Sequence, residues 1–280
     1  MIINGFTSKA AALRHLHAQG HKFTSLLSAP ESNPKVAKNG KLGILSAPLH
    51  LAPFDLSGFQ VCPQASAGCA AACLHTAGNP AYMSGKDASR KDKTRAYFKH
   101  RDAFMALLAF ELAALVAKAE RKGMEPAARL NATSDLPWEL RTVTIDGAEA
   151  PIMEHFRMVQ FYDYTKVTKR AIAHAEGRMP SNYHLTFSKT EDNDADVLKV
   201  LKAGGNVAAV FAPDTLKVAL SNGMQSSQGK LVLAGGPSSL DWIAYDGDET
   251  DFRPMDPAGV IVALKAKGDA RQDTSGFTIR

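Results

Sequence analysis

Cys62, Cys69 and Cys73 are the only three cysteines in a chain of 280 residues, and all fall within the stretch "CPQASAGCAAACLHTAG", residues 62–78. Three thiols cannot pair off, so a simple disulfide framework is excluded. The stretch contains no C-x-x-C redox pair. The spacing C-x6-C-x3-C suits a centre with three protein ligands. Pro63 and Gly68 favour a turning loop, and "CAAACLH" suits a helix start that sets Cys69 and Cys73 on one face. Cys62 would return across that loop to meet them. Four chemistries compete: buried core thiols, a redox thiol cluster, zinc, and an iron–sulfur cluster. Zinc needs a fourth ligand in a structural site, for which His75 is nearest, or an open position in a catalytic one. A cubane of four irons held by three thiolates leaves one iron open to substrate or cofactor.

The elements that must position these thiols follow a rhythm. Strand-like runs are "KLGILS" (41–46), "AARLN" (127–131), "MVQFYDY" (158–164), "NYHLTFS" (182–188), "NVAAVFA" (206–212), "KLVLAGG" (230–236) and "GVIVALK" (259–265). Between them lie helical patterns, the clearest being "KDKTRAYFKHRDAFMALLAFELAALVAKAERKG", then "TKVTKRAIAHAEG" and "DNDADVLKVLKAGG". Strands alternating with helices imply parallel pairing and crossover connections. The expected fold is α/β, a parallel (β/α) partial TIM-type barrel over residues 41–280 as a single domain. Residues 1–40 form a short N-terminal extension that opens on the helix "SKAAALRHLHAQG".

In such folds the carboxyl ends of the strands converge on the face where sites are built. The cysteine segment follows the first strand and belongs to that face. So do Asn131, Thr133, Ser134 and Asp135; Asp163, Thr165 and Lys166; Ser188, Thr190 and Glu191; and Asp214 and Ser238. Each of these alone suits a cap on the next helix; their recurrence is what points to a site. Asn131, Ser134, Asp135, Asp163, Ser188 and Glu191 are the candidate cofactor-binding residues. Of these, Asp135, Asp163 and Glu191 can accept hydrogen bonds from the ribose and amino groups of a nucleoside.

A cysteine triplet in the loop after the first strand of a partial barrel resembles the radical S-adenosylmethionine superfamily. "LAPFDLSGFQVCPQASAGCAAACLHTAG", "VQFYDYTKVTKR", "NYHLTFSKTEDNDADVLKVLKAGGNV" and "DPAGVIVALKAKG" also resemble a family of phage-encoded cysteine-motif proteins, over most of the chain. The first resemblance implies that Cys62, Cys69 and Cys73 ligate a [4Fe-4S] cluster. Its open iron would take the amino and carboxylate groups of S-adenosylmethionine, and an electron donor would be the redox partner. The triplet departs from that superfamily's usual C-x3-C-x2-C, and Ala72 stands where an aromatic residue often precedes the last cysteine. A noncatalytic iron–sulfur or zinc protein that binds nucleic acid or a protein partner is the alternative.

Between Lys86 and Arg101 seven basic side chains meet two acidic ones, an excess equal to the whole chain's formal charge of +5. Lys86, Arg90, Lys91, Lys93, Arg95, Lys99 and Arg101 suit a phosphate-bearing substrate or nucleic acid. They equally suit a solvated helix face, the reading preferred here, with Tyr97 and Phe98 as packing residues. "YDGDETDFRPMDP" lacks the ordered ligand spacing of an EF-hand and reads as a solvated surface loop. Neither a G-x-S-x-G turn nor a G-x-x-x-x-G-K-[ST] loop occurs. With no secretion signal and no apolar run of membrane-spanning length, no membrane association is expected. The expected location is cytoplasmic, the host bacterial cytoplasm for a phage protein.

Overall fold

The computed structural model describes residues 1–29, 37–73, 84–227, 230–233 and 240–280. In chain order the helices are α1 (Lys9–Ala18), α2 (Ala67–Ala71), α3 (Ser84–Lys99), α4 (Arg101–Lys122), α5 (Ile152–His155), α6 (Thr168–Ala175), α7 (Asp194–Lys202) and α8 (Pro213–Asn222). The principal strands are β1 (Ile44–Pro48), β2 (Glu125–Arg129), β3 (Thr142–Ile145), β4 (Ala148–Pro151), β5 (Gln160–Thr165), β6 (Tyr183–Ser188) and β7 (Val207–Phe211). They continue as β8 (Met224–Ser227), β9 (Lys230–Leu233), β10 (Leu240–Trp242), β11 (Ala244–Asp246), β12 (Ile261–Lys265) and β13 (Thr278–Ile279).

The chain forms two compact units. The first comprises Met1–Pro63, Ala81–Asp163 and Pro180–Tyr183; the second comprises Gln64–Pro80, Tyr164–Met179 and His184–Arg280. In the first, β1, β2 and β5 pair in parallel in that order. In the second, β6, β7, β12 and β11 do so, with β13 also on β7. The α/β class and parallel pairing are thus as the alternation implied, and compatible with a partial barrel.

The first unit is organised by α4, which is buried without interruption from Ala103 to Ala109. A helix apolar on nearly every side must be enclosed. Its one buried acid, Glu111, accepts hydrogen bonds from the Leu26 and Leu27 N–H groups (3.0 and 2.7 Å) and meets Lys9 Nζ at 2.9 Å. The N-terminal segment therefore belongs to this unit's packing. The single long helix expected from sequence is two, α3 and α4, divided at His100 (φ −135°, ψ 54°). No glycine or proline marks that break. The His100 ring instead lies against His21 and His15, with centroids 5.3 and 6.4 Å away.

Two departures from the expected strands have clear causes. "TVTIDGAEAP" forms the hairpin β3–β4, and Asp146 (φ 48°) and Gly147 (φ 88°) give the turn the two left-handed residues it requires. "KLVLAGG" does not supply another parallel strand. Its β9 pairs antiparallel with β8, which pairs antiparallel with β10. Only residues 228–229 separate β8 from β9, too few for a parallel crossover. Residues 234–236 of that run lie outside the described residues.

In the second unit Phe187, Val207, Ala209, Phe211, Ile261 and Ala263 form one buried cluster with Val197, Leu201 and Leu216 of the helices. The alternate positions Ala208, Val260 and Val262 form another cluster, with Tyr164 and Leu264. Apolar residues on both faces are what parallel strands demand. His184, at the start of β6, packs edge-on against His174 with centroids 4.7 Å apart. Burial, then the neighbouring His174 and Arg253, push its pKa down to about 3. A histidine kept neutral in the fold contributes stability above its unfolded pKa, near 6.5, and loses it as pH falls toward 3. By pH 4 the loss reaches roughly 3 kcal/mol. Asp256 opposes this: burial raises it to about 6, against the pull of Arg253 3.0 Å away, so its contribution is lost as pH rises from about 4 through 6. His184→Gln should therefore resist urea better at pH 4, relative to pH 7, than the unmodified chain. Identical pH dependence in the two proteins would refute the assignment.

Candidate functional site

None of the three cysteines forms a disulfide, and each is half-buried. Cys62 lies in the first unit; Cys69 and Cys73 lie in the second. Among the described residues, no group of three or more His, Cys, Asp or Glu side chains is arranged to hold a metal ion. Each unit fastens its own part of the cysteine segment to the loop that follows a parallel strand.

In the first unit the Cys62 Sγ accepts a hydrogen bond from the Phe54 N–H at 3.5 Å, and its thiol reaches Thr133 O at 3.9 Å. Phe54 sits in the left-handed region (φ 54°), so the chain bends sharply where it meets the sulfur. Two further bonds tie this segment to the loop after β2. Thr133 Oγ1 donates to Leu51 O at 2.6 Å, and the Asp135 N–H donates to Val61 O at 2.8 Å.

That second loop is organised by Asn131. Its Oδ1 accepts from Ser134 Oγ (2.8 Å), the Leu136 N–H (2.9 Å) and Trp138 Nε1 (3.0 Å), and its Nδ2 donates to Leu136 O (2.9 Å). Asp163, within β5 and fully buried, accepts from the Asn131 N–H at 2.6 Å and from the Tyr183 hydroxyl at 3.1 Å. Asn131, Ser134 and Asp163 are thus brought together, with Asp135 buried beside them. Buried polar groups need partners, and these side chains supply one another's. The network holds the loop that carries Thr133 to Cys62.

In the second unit Ser66 caps α2, its Oγ accepting from the Cys69 N–H at 3.1 Å. Glu191, in the loop after β6, accepts from Ser66 Oγ and from the Gly68 N–H, both at 2.7 Å. Gly68 is buried against this carboxylate. A Cβ there would sit 2.8 Å from Glu191 Cδ and collide with Ser275 Oγ. At the end of the helix Ala72 packs on Ala266 and Ala270. Glu191, expected to meet a cofactor, thus holds the helix that carries Cys69. Ser188 ends β6, and its carbonyl accepts from Asn193 Nδ2 at 3.0 Å. Sequence reading had missed Ser66, Gly68 and Ser275 as site-building residues. Ser66 alone carried a signal, a hydroxyl residue just ahead of a helix start.

The remaining strand-end residues are scattered in role. Thr165 Oγ1 accepts from the Val167 N–H and from Arg170 within the second unit. Asp214 is fully exposed and stands 3.5 Å from Lys217. His75 and Ser238 lie outside the described residues. The acidic stretch 246–251 is not simply a solvated loop. Asp251 is buried, and Asp248 accepts from the Lys265 N–H and from Lys267 Nζ, both at 2.7 Å, which anchors the loop to the end of β12. No helix among the described residues is long and apolar enough to cross a membrane.

No curated protein and no solved structure matches the chain. Its residues 24–280 match the family described as Gene product 88, a match that takes in β1, the whole cysteine segment and every loop described above. With nearly its full length covered, the chain belongs to the Gene product 88 family of phage proteins.

Proposed function

We propose that this protein binds an iron–sulfur cluster through Cys62, Cys69 and Cys73 and acts as an enzyme resembling the radical S-adenosylmethionine proteins. The observation that carries the reading is the separate anchoring of the two ends of the cysteine segment. Cys62 is held by the loop after β2, and the helix of Cys69 by Glu191 after β6. Loops following parallel strands are where such folds build sites.

The donor set fits the group in kind. None of the three thiols is in a disulfide, and the Phe54 N–H donates to Cys62 Sγ, a contact that a thiolate ligand can also accept. On deprotonation Cys62 would exchange its contact with Thr133 O for a metal. When loaded, a three-thiolate cubane would supply one electron to S-adenosylmethionine, breaking its sulfonium–C5′ bond to leave methionine and a deoxyadenosyl radical. The chain's part is to hold the thiols, through Glu191 and the Asn131–Asp163 network, and to orient the substrate.

The test is anaerobic purification, quantification of iron and sulfide, and addition of S-adenosylmethionine with dithionite. About four irons per chain and release of deoxyadenosine are expected. Zinc in place of iron would overturn the cluster, and iron without deoxyadenosine would overturn the radical enzyme. Replacing Cys62, Cys69 or Cys73 singly by alanine should remove most of the bound iron. Full iron occupancy in all three variants would defeat the ligand assignment.

A further inference from the structure

The basic stretch 86–101 is divided by α3 into cations that the fold uses and cations that it leaves outside. Lys93 is buried and donates from Nζ to Leu26 O at 2.9 Å. Arg101 lies over the Tyr97 ring, 4.3 Å from its centroid, and donates from Nε to Tyr97 O. Arg90 is mostly buried and stands 3.7 Å from Asp87. Lys86, in the first turn of α3, has an interaction of its own, and Lys91, Arg95 and Lys99 remain. They recur every fourth residue and so form one stripe along the helix. Arg95 and Lys99 are exposed and Lys91 half-exposed. None of the three has a carboxylate partner among the described residues.

Beside the stripe stands an aromatic pair. Phe98 and Phe59 lie face to face, with centroids 4.6 Å apart and planes 4° from parallel, and both rings are half-exposed. The stripe and the pair are physically joined: Arg95 donates from Nε to Ser57 O at 3.2 Å, fixing the loop that presents Phe59. Leu56, in the same loop, is 44% exposed. The Arg101 guanidinium lies 5.8 Å from the Phe98 ring centroid. The acids on these elements do not cancel the charge. Asp87 faces Arg90, Asp92 is bonded to His21 and the Lys22 N–H, and the exposed acids Asp55 and Asp102 form no ion pair with the three cations of the stripe.

We propose that the first unit carries a face for single-stranded nucleic acid, with Lys91, Arg95 and Lys99 contacting the phosphate backbone and the Phe59–Phe98 pair stacking an unpaired base. The proposal stands apart from any metal bound by the cysteines. A cationic groove or stripe next to an accessible ring is the combination by which proteins hold single strands without reading sequence. From Lys91 to Lys99 the helix rises about 12 Å, a length along which an extended single strand carries roughly two to three phosphates. A duplex hides its base faces, so a stacking ring selects the single strand.

The experiment is fluorescence anisotropy on the full chain with labelled dT20, U20 and a 20-base-pair duplex, at 50–200 mM KCl. Tight binding of the single strands at low salt is expected. The triple variant Lys91→Ala, Arg95→Ala, Lys99→Ala should bind at least tenfold more weakly, with the slope of log affinity against log salt reduced by about two. Phe98→Leu, which keeps an apolar side chain at the helix surface, should lose roughly 5- to 100-fold while its salt slope stays unchanged. Phe59→Leu should behave alike, and circular dichroism checks that each variant is folded. No binding of either oligonucleotide at 50 mM salt would overturn the proposal. So would duplex affinity equal to that of the single strands with Phe98→Leu unaffected. Equal affinity for polyglutamate, lost in the triple variant alone, would mean a mere cation patch and would overturn it too.

Discussion

Glu191→Ala is expected to release the helix that carries Cys69. The substitution removes the acceptor of two charge-assisted hydrogen bonds, from Ser66 Oγ and from the Gly68 N–H. Such bonds contribute about 1.5–3 kcal/mol each when well formed. Because Glu191 and Ser66 are only half-buried, water replaces part of the loss, and a total of roughly 2 kcal/mol is expected. The local consequence exceeds the global one. A helix of one and a half turns has almost no stability of its own, so amide hydrogens of Gly68–Ala72 should exchange far faster while those of β7 and β12 do not change. Gly68→Ala should act on the same contact from the other side, by forcing a methyl against Glu191 and Ser275, at about 1–3 kcal/mol. The two should not be additive: with Glu191 already truncated, the added methyl at position 68 finds more room. Unchanged exchange at Gly68–Ala72 in Glu191→Ala would show that Ala72 and its neighbours hold the helix by packing alone.

The same clamp shows which parts of the site could be read from the residues. Glu191 was found as a polar residue after a strand, which located it correctly, yet its role depended on Gly68, more than a hundred positions earlier. Nothing local announces that a glycine is required by a close approach rather than by a turn. Asn131 and Asp163 show the same limit. Strand-end position was legible, because strand runs and their polar sequels stand next to each other in the chain. That the two side chains satisfy each other was not, since it depends on which strands are neighbours. The fold class came through for the opposite reason: β7 and β12 are continuous apolar runs whose burial on both faces is a property of composition. Two local signals went unused. Asp146-Gly147 encodes the β3–β4 turn directly, and the two-position gap between β8 and β9 forbids the parallel strand expected there. The break at His100 had no signal, because it arises from packing against His15 and His21 rather than from a helix-breaking residue.

Asp163→Ala should be the most damaging single substitution outside the cysteines. Asp163 is fully buried, and its carboxylate takes the Asn131 N–H at 2.6 Å and the Tyr183 hydroxyl at 3.1 Å. Alanine would take that acceptor from both donors inside the protein, at about 1–3 kcal/mol each. A loss of roughly 3–5 kcal/mol in the first unit follows, at the upper end for a single substitution. Asp163→Asn separates acceptor loss from charge loss. Its amide oxygen can still accept from one donor, so it should recover about half of the deficit. Tyr183→Phe removes one donor together with its need for an acceptor, and should cost only about 1 kcal/mol. The network predicts a specific side effect. With Asn131 unfastened, the loop that brings Thr133 to Cys62 loosens, and the Cys62 thiol should react faster with a maleimide while Cys69 and Cys73 keep their rates. Mass spectrometry of the labelled peptides resolves the three sites. Uniform acceleration at all three would indicate general unfolding, whereas acceleration confined to Cys62 would tie Asp163 to the placement of that one thiol.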